Sequence, residues 1–297
     1  MPTTPWIFIC PSSRGIGHAL TRHLLLATTL PILATTRGDP SSTKSSLLQD
    51  LLSSSSDAAA RLSLVRCDVT DESSIAAAAR RAEELFPPRT HHLRLACAMP
   101  GILPVHPAEK HPRQVDAERS LEGFRVNTLG PLLLFKHFGE FLPRRTTAMD
   151  EPPPPPPTPP PPAADNTSKE HSDEGQTTTI RLPPHATWLN MSARVGSTSD
   201  NRLGGWYTYR ASKAAVNSLT RSLDVHLRAR SGDRAVAVAY HPGTVRTDLS
   251  REFWDSVEEG RLFSPEYAAE RLVDVVRGLE LGQRGRCWDW KNDEVPP

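Results

Sequence analysis

The stretch Trp6–Ala27, "WIFICPSSRGIGHALTRHLLLA", decides how the chain is read. "WIFIC" is a short apolar run of the kind that forms a buried strand, and "HALTRHLLLA" spaces its apolar residues as a helix does. Between them lies a glycine-bearing turn, Pro11–Gly17. A strand, such a turn and a helix in that order cradle a dinucleotide: glycines admit the pyrophosphate close to the backbone, and the helix N-terminus offers it unpaired amides. Gly15 and Gly17 hold those places around Ile16. Pro11 stands where the first glycine is expected; it fixes φ near about −65° and removes one N–H. Ser12, Ser13 and Arg14 are then the replacement donors.

The alternation continues to the other end of the chain. Strands are expected at "PILATTR" (31–37), "RLSLVRCDV" (61–69), "HLRLACAM" (92–99), "ATWLNMS" (186–192), "RAVAVAYHP" (234–242) and "GRCWDW" (285–290). Helices are expected from Ile16 to Thr28 and around "KSSLLQDLLSS" (44–54), "DESSIAAAARRAEELF" (71–86), "AERSLEGFRVNTLGPLLLFKHFGEFL" (117–142), "YTYRASKAAVNSLTRSLDVHLRAR" (207–230) and "SPEYAAERLVDVVRGL" (264–279). Repeated β-α units predict an α/β fold: one doubly wound domain over residues 1–297, with a seven-stranded parallel sheet and helices on both faces. A proline-rich insertion at about 143–184, centred on "EPPPPPPTPPPPAADNTSKEHSDEGQTTT", breaks the rhythm. That composition cannot bury a core and predicts extended or disordered chain, with an SH3- or WW-type partner as one use for it. The serine run Ser53–Ser56 reads as a smaller loop of the same sort.

Composition narrows the function classes. A net charge of +1 over 297 residues favours neither nucleic acid nor an acidic membrane surface. Cys10, Cys67, Cys97 and Cys287 lie far apart and read as reduced, buried thiols of a cytoplasmic protein, with no metal expected. The opening "MPTTPWIFIC" lacks the basic start of a signal peptide, and no run approaches the ~18 apolar residues of a membrane span.

The sharpest chemical signal is "YTYRASK", 207–213. Tyr209 and Lys213 are four apart and share a helix face. A phenol titrates near ~10, and a nearby ammonium lowers that value by stabilising the phenolate. Tyr209 then becomes a candidate general acid toward a carbonyl oxygen. Tyr207 has no lysine at that spacing, because residue 211 is alanine.

The succession "SSRGIG", "DVTD", "FRVNTLGP", "NMSARVG", "GGWYTYRASKAAVN", "HPGTVRTD" and "WDW" resembles the short-chain dehydrogenase/reductase family, nearest to its C-factor-like and sniffer-like carbonyl reductases. The resemblance covers nearly the whole chain outside the proline-rich insertion. It implies a Rossmann-type domain, a nicotinamide cofactor and a small carbonyl or secondary alcohol as substrate. It also implies roles: Tyr209 as proton donor, Lys213 lowering its pKa and holding the nicotinamide ribose, and Asn127 supporting a water-linked proton relay. Asp68 and Val69 would meet the adenine, with Gly101 beside the cofactor. Pro242, Gly243, Val245 and Thr247 would line the nicotinamide end. Without the family, Asp68 reads equally as a helix cap and Asn127 as a group satisfying backbone. Members often pair through the helices bearing Asn127 and Tyr209, so a homodimer is one expectation.

Charge argues for the form of the cofactor. Strand 2 runs into "ATTRGD", which puts Arg37 where NAD-binding folds carry an acid for the ribose hydroxyl. Arg14 sits in the phosphate turn, and two guanidinium groups suit a 2′-phosphate. NADP(H) is expected over NAD(H), with Asp39 keeping NAD(H) open.

Three positions depart from the family pattern: Pro11, "AMPG" at 98–101 in place of "NNAG", and Ala193 where the catalytic serine stands. That serine hydrogen-bonds the substrate carbonyl, and losing such a donor costs about 10²–10³ in rate. Ser192, one step along the strand, and Ser197 and Thr198 in the next loop are the candidate substitutes. The rival to an active enzyme is a weak or silent NADP(H)-binding protein serving as redox sensor or scaffold. Trp206, Phe253 and Trp254 are read as an apolar wall for a hydrophobic carbonyl or, equally, as core packing.

Overall fold

The structure, a computed structural model, describes residues 1–51, 57–105, 107–149 and 180–297. In chain order its elements are β1 (Thr4–Cys10), α1 (Gly15–Ala27), β2 (Ile32–Thr36), α2 (Pro40–Leu48), α3 (Ala58–Arg61), β3 (Leu62–Arg66), α4 (Glu72–Leu85) and β4 (His91–Ala98). Then follow α5 (Ala117–Phe124), α6 (Gly130–Phe138), β5 (Ala186–Met191), α7 (Tyr207–Ser231), β6 (Ala235–His241), β7 (Thr244–Val245), β8 (Leu262–Phe263), α8 (Pro265–Arg277), β9 (Cys287–Asp289) and β10 (Glu294–Val295).

The main sheet has the order β10-β9-β6-β5-β4-β1-β2-β3. The seven strands expected become eight: the seven parallel ones are present, and β10 adds an antiparallel edge through Glu294 opposite Trp288 and Val295 opposite Cys287. Two residues carry too little periodicity to be read as a strand from sequence. β7 and β8 form a separate two-stranded ladder.

Alternation along β1 builds both layers of the core, because successive side chains leave opposite faces of a strand. Trp6, Phe8 and Cys10 join one apolar cluster with Ala78 of α4, Phe138 of α6 and Leu223 of α7. Ile7 and Ile9 join the other with Leu24 of α1, Leu47 of α2 and Leu272 of α8. Phe8 stacks on Phe138 at 4.1 Å between ring centroids. All four cysteines are free and buried.

Capping decides where helices begin. Asp39 accepts from Ser42 N at 2.6 Å and Pro40 opens the first turn, so α2 covers 40–48 rather than the expected 44–54. Asp71, not Asp68, caps α4, accepting from Ser73 N. The helical region from residue 117 is interrupted by a π-helical turn, Arg125–Leu129, that holds Asn127.

Residues 150–179 of the proline-rich insertion and the serine run 53–56 lie outside the described residues. The described flanks of the insertion are tied down: Met149 bridges to Thr3, and Ile180 N donates to Ala27 O at 2.6 Å.

Candidate active site

The chain leaves β1 toward β2 and β3 on one side, and β4 leads to β5, β6 and β9 on the other. Ligands of doubly wound sheets lie at the carboxyl ends of the strands beside that reversal. A cavity of about 530 Å³ opens there, lined by the turn after β1, the ends of β5 and β6, and α7.

Gly15 has φ +56°, in the left-handed region that favours glycine. A Cβ on Gly17 would stand 1.9 Å from Pro11 O, so the first turn of α1 lies directly on that carbonyl. The Cys10–Pro11 peptide is cis. Arg14 occupies the N-cap of α1 but supplies no side-chain cap, so the helix amides there have no side-chain partner. A cradle that a Cβ would fill, under an uncapped helix start, fits the pyrophosphate of a dinucleotide.

The expected donors divide. Pro11, Arg14, Gly15, Ile16 and Gly17 line the cavity. Ser12 does not: its N–H goes to Thr35 O and its hydroxyl to Ile9 O, both inside the protein. Ser13 and Arg37 are exposed, and Arg14 lies 3.9 Å from Asp248. Asp68 folds back on Thr70, accepting from its N at 2.9 Å and its Oγ1 at 2.7 Å. Those bonds, with Arg37 nearby, hold its carboxyl below the usual range. Val69 is buried against Gly130. Arg37, Asp68 and Val69 are outside the cavity lining; Gly101, Pro242, Gly243, Val245 and Thr247 are part of it. Gly243 has φ +76°, and a Cβ there would meet Phe263 at 2.6 Å.

Tyr209 and Lys213 both line the cavity from the first turns of α7, whereas Tyr207 is exposed. Lys213 Nζ donates to Met191 O at 2.9 Å and lies 5.7 Å from the centre of the Tyr209 ring. Burial pushes the phenol up to about 12 and the ammonium down to about 8. The expected depression of Tyr209 by Lys213 is not seen in the protein alone, where desolvation penalises both charged forms. Asn127, fully buried in the π turn, accepts from Ile102 N at 2.8 Å. Its amide donates to Ile102 O at 3.0 Å and to Ser212 Oγ at 3.1 Å. It fastens the loop after β4 to α7. Gly196 tightens the same region: a Cβ there would come 2.6 Å from the backbone carbon of Lys213.

Ala193 points into an apolar cluster with Leu103, Ala108 and Tyr209, against which Trp206, Leu249 and Phe253 pack. Of the three substitute hydroxyls only Ser192 lines the cavity, and its Oγ donates to Asn217 Oδ1 at 2.6 Å. Ser197 Oγ turns to Pro297 O, and Thr198 is exposed.

Two groups escaped the sequence reading. His241, at the end of β6, lines the cavity with a buried Nδ1 that has no hydrogen-bond partner among the described residues. Burial pushes it down to about 4, so the ring is neutral at pH 7. Its place directly before "PG" was the available signal. Glu109, nearly a hundred residues before α7 in sequence, holds the start of that helix: its Oε1 accepts from Thr208 Oγ1 at 2.5 Å. No local pattern marks such a long-range contact.

No family model matches the chain. The C-signal protein of Myxococcus xanthus is 35% identical over 107 residues, 36% of this chain and 58% of that protein, so the chain spans little more than half its length. In fold the chain is similar to an NADPH-bound carbonyl reductase from chicken fatty liver, with 24% identity, TM-score 0.70 and coverage of 99% and 100%. It is also similar to the carbonyl reductase Sniffer of Drosophila melanogaster, with 21% identity, TM-score 0.70 and full coverage of both chains. The resemblance to the short-chain dehydrogenase/reductase family thus holds in sequence and in fold. Both of these structural neighbours are carbonyl reductases.

Proposed function

We propose that the protein is an NADP(H)-dependent oxidoreductase of the short-chain type that reduces a carbonyl compound to an alcohol. The observation that carries this reading is one cavity joining the glycine turn after β1 to Tyr209 and Lys213. Bound NADPH supplies the hydride. Tyr209 supplies the proton: burial keeps its phenol protonated, so it meets the substrate oxygen as an acid, the form reduction requires. Lys213 lies close enough to stabilise the phenolate left behind and is held in place by Met191 O. Asn127 fixes the loop and helix that frame them. Arg14, which lines the cavity, and Arg37, exposed just beyond β2 and outside the lining, are the two cations offered to a 2′-phosphate, while Asp39 is engaged as the cap of α2. A cytoplasmic location accords with four free thiols.

One observation favours the silent binding module as a second reading: the methyl of Ala193 offers no donor to the substrate oxygen. Titration with NADPH and NADH, followed by cofactor oxidation with a panel of aldehydes and ketones, tests both readings. Preferential NADPH binding with turnover supports the enzyme. NADPH binding without turnover supports the module, and equal binding of both cofactors removes the arginine argument.

A further inference from the structure

The start of α7 is built unusually. Gly204, Gly205 and Trp206 all have positive φ, at 64°, 64° and 51°. Glycine adopts that conformation freely; a tryptophan does so only when its surroundings hold it there. Trp206 is also the N-cap of α7, yet its side chain makes no capping bond.

The restraint comes from a distant loop. Glu109 O accepts from Trp206 N at 2.6 Å, and a Cβ on Gly205 would come 3.0 Å from that same carbonyl. Glu109 is 2% exposed. Its carboxylate accepts from Thr208 Oγ1 at 2.5 Å and from Thr208 N at 3.4 Å, doing the capping that Trp206 does not. An acidic group suits the positive end of a helix dipole. Ser120 Oγ lies 2.8 Å from Thr208 Oγ1 and extends the network to α5. On the other side, Arg210 Nε donates to Gly204 O at 3.2 Å and Gly205 O at 3.1 Å.

The outcome is the placement of one ring. Trp206 lines the cavity, meets the Tyr209 ring edge-on at 6.1 Å and lies 4.6 Å from Phe253. It packs against the apolar cluster that Ala193 and Tyr209 share.

We propose that Trp206 is the specificity-determining wall for substrates with a flat apolar group beside the carbonyl, and that Glu109 is the positioning residue that holds it there. The inference rests on the carbonyl reductase reading. An aryl ring laid against the wall that Trp206 and Phe253 form together turns its carbonyl oxygen toward Tyr209, which Trp206 meets edge-on. A small alkyl group gains little from that wall.

The test compares benzaldehyde with propanal as substrates for NADPH oxidation. Trp206→Gly suits the positive φ at that position; it is expected to raise KM for benzaldehyde about tenfold or more, and KM for propanal by less than about threefold. Glu109→Ala is expected to act in the same direction, and Glu109→Gln, whose amide oxygen still accepts from Thr208, to recover most of the loss. In the double variant, Glu109→Ala adds little to Trp206→Gly, since both act through one ring. Equal changes for the two aldehydes, or full additivity, overturn the proposal. If Glu109→Ala fails to fold, Thr208→Val, which removes the hydroxyl that donates to the Glu109 carboxylate, takes its place in the comparison with the same expected and overturning results.

A second readout does not depend on turnover. The fluorescence difference between wild type and Trp206→Phe isolates this tryptophan among six. Glu109→Ala is expected to shift that emission toward that of a water-exposed indole, and Glu109→Gln to preserve it; unchanged emission in Glu109→Ala overturns the positioning role. A wild type that binds NADPH but reduces neither aldehyde defeats the functional reading, while the emission still decides the role of Glu109.

Discussion

At position 193 a methyl group, packed with Tyr209 and Leu103, faces the cavity where the family places a hydroxyl. The neighbouring Ser192 is committed to Asn217. Ala193→Ser therefore adds a donor beside Tyr209 without displacing an existing bond. It is expected to raise kcat for carbonyl reduction by up to about 10²-fold, with NADPH affinity unchanged; steady-state kinetics against a fixed aldehyde check this, and an unchanged kcat removes the hydroxyl deficit from the account. At this scale the sequence was unevenly informative. Tyr209 and Lys213 were legible because both sit on one helix at a fixed spacing. Asn127 was legible only through the resemblance, since nothing local distinguishes it from an ordinary buried asparagine. Glu109 was illegible, because its partner is 99 residues away.

Elements are joined at a few points of close approach, and these carry the site's geometry. A Cβ on Gly196 would meet the backbone of Lys213 and Ala214 at 2.6–2.9 Å, atoms that cannot swing aside. Gly196→Ala is expected to push the turn after β5 off α7 and to destabilise the protein by about 1–3 kcal/mol, read as a lower urea midpoint. An unchanged midpoint would show that the turn has room to move. The strands of the parallel sheet were readable in the sequence, since buried strands are continuous apolar runs bounded by turns. The start of α2 was not, because its first turn, "PSST", carries no apolar repeat and is set by the Asp39 cap. The π turn around Asn127 has no periodic signature either. β10 was missed through its length of two residues.

Over the whole molecule, two neutral histidines tie stability to pH. Burial, with Arg94 and Arg284 adding to it, pushes His185 down to about 4 from 6.5. Burial also pushes His241 to about 4. Unfolded chain takes up protons on these rings near pH 6.5, while the folded protein resists until about pH 4. Their contribution is fully present above pH 6.5 and is lost as pH falls toward 4. Melting temperature should drop across that window, and His185→Gln should flatten the drop; an unaltered slope would contradict the assignment. At the same scale, Arg284 is buried on Asp224, with its Nε 2.9 Å from both carboxylate oxygens. Arg284→Leu leaves that carboxylate unpaired and is expected to cost about 3–5 kcal/mol in chemical denaturation. The central claim is that the cavity joining the glycine turn to Tyr209 performs NADPH-dependent carbonyl reduction. The most direct measurement is NADPH oxidation with an aldehyde panel by wild type and Tyr209→Phe, with NADPH binding measured in both. Turnover by wild type, a loss of about 10²-fold or more in Tyr209→Phe and equal NADPH binding are the results predicted. Turnover that survives intact in Tyr209→Phe, or a wild type that binds NADPH and reduces nothing, would contradict it.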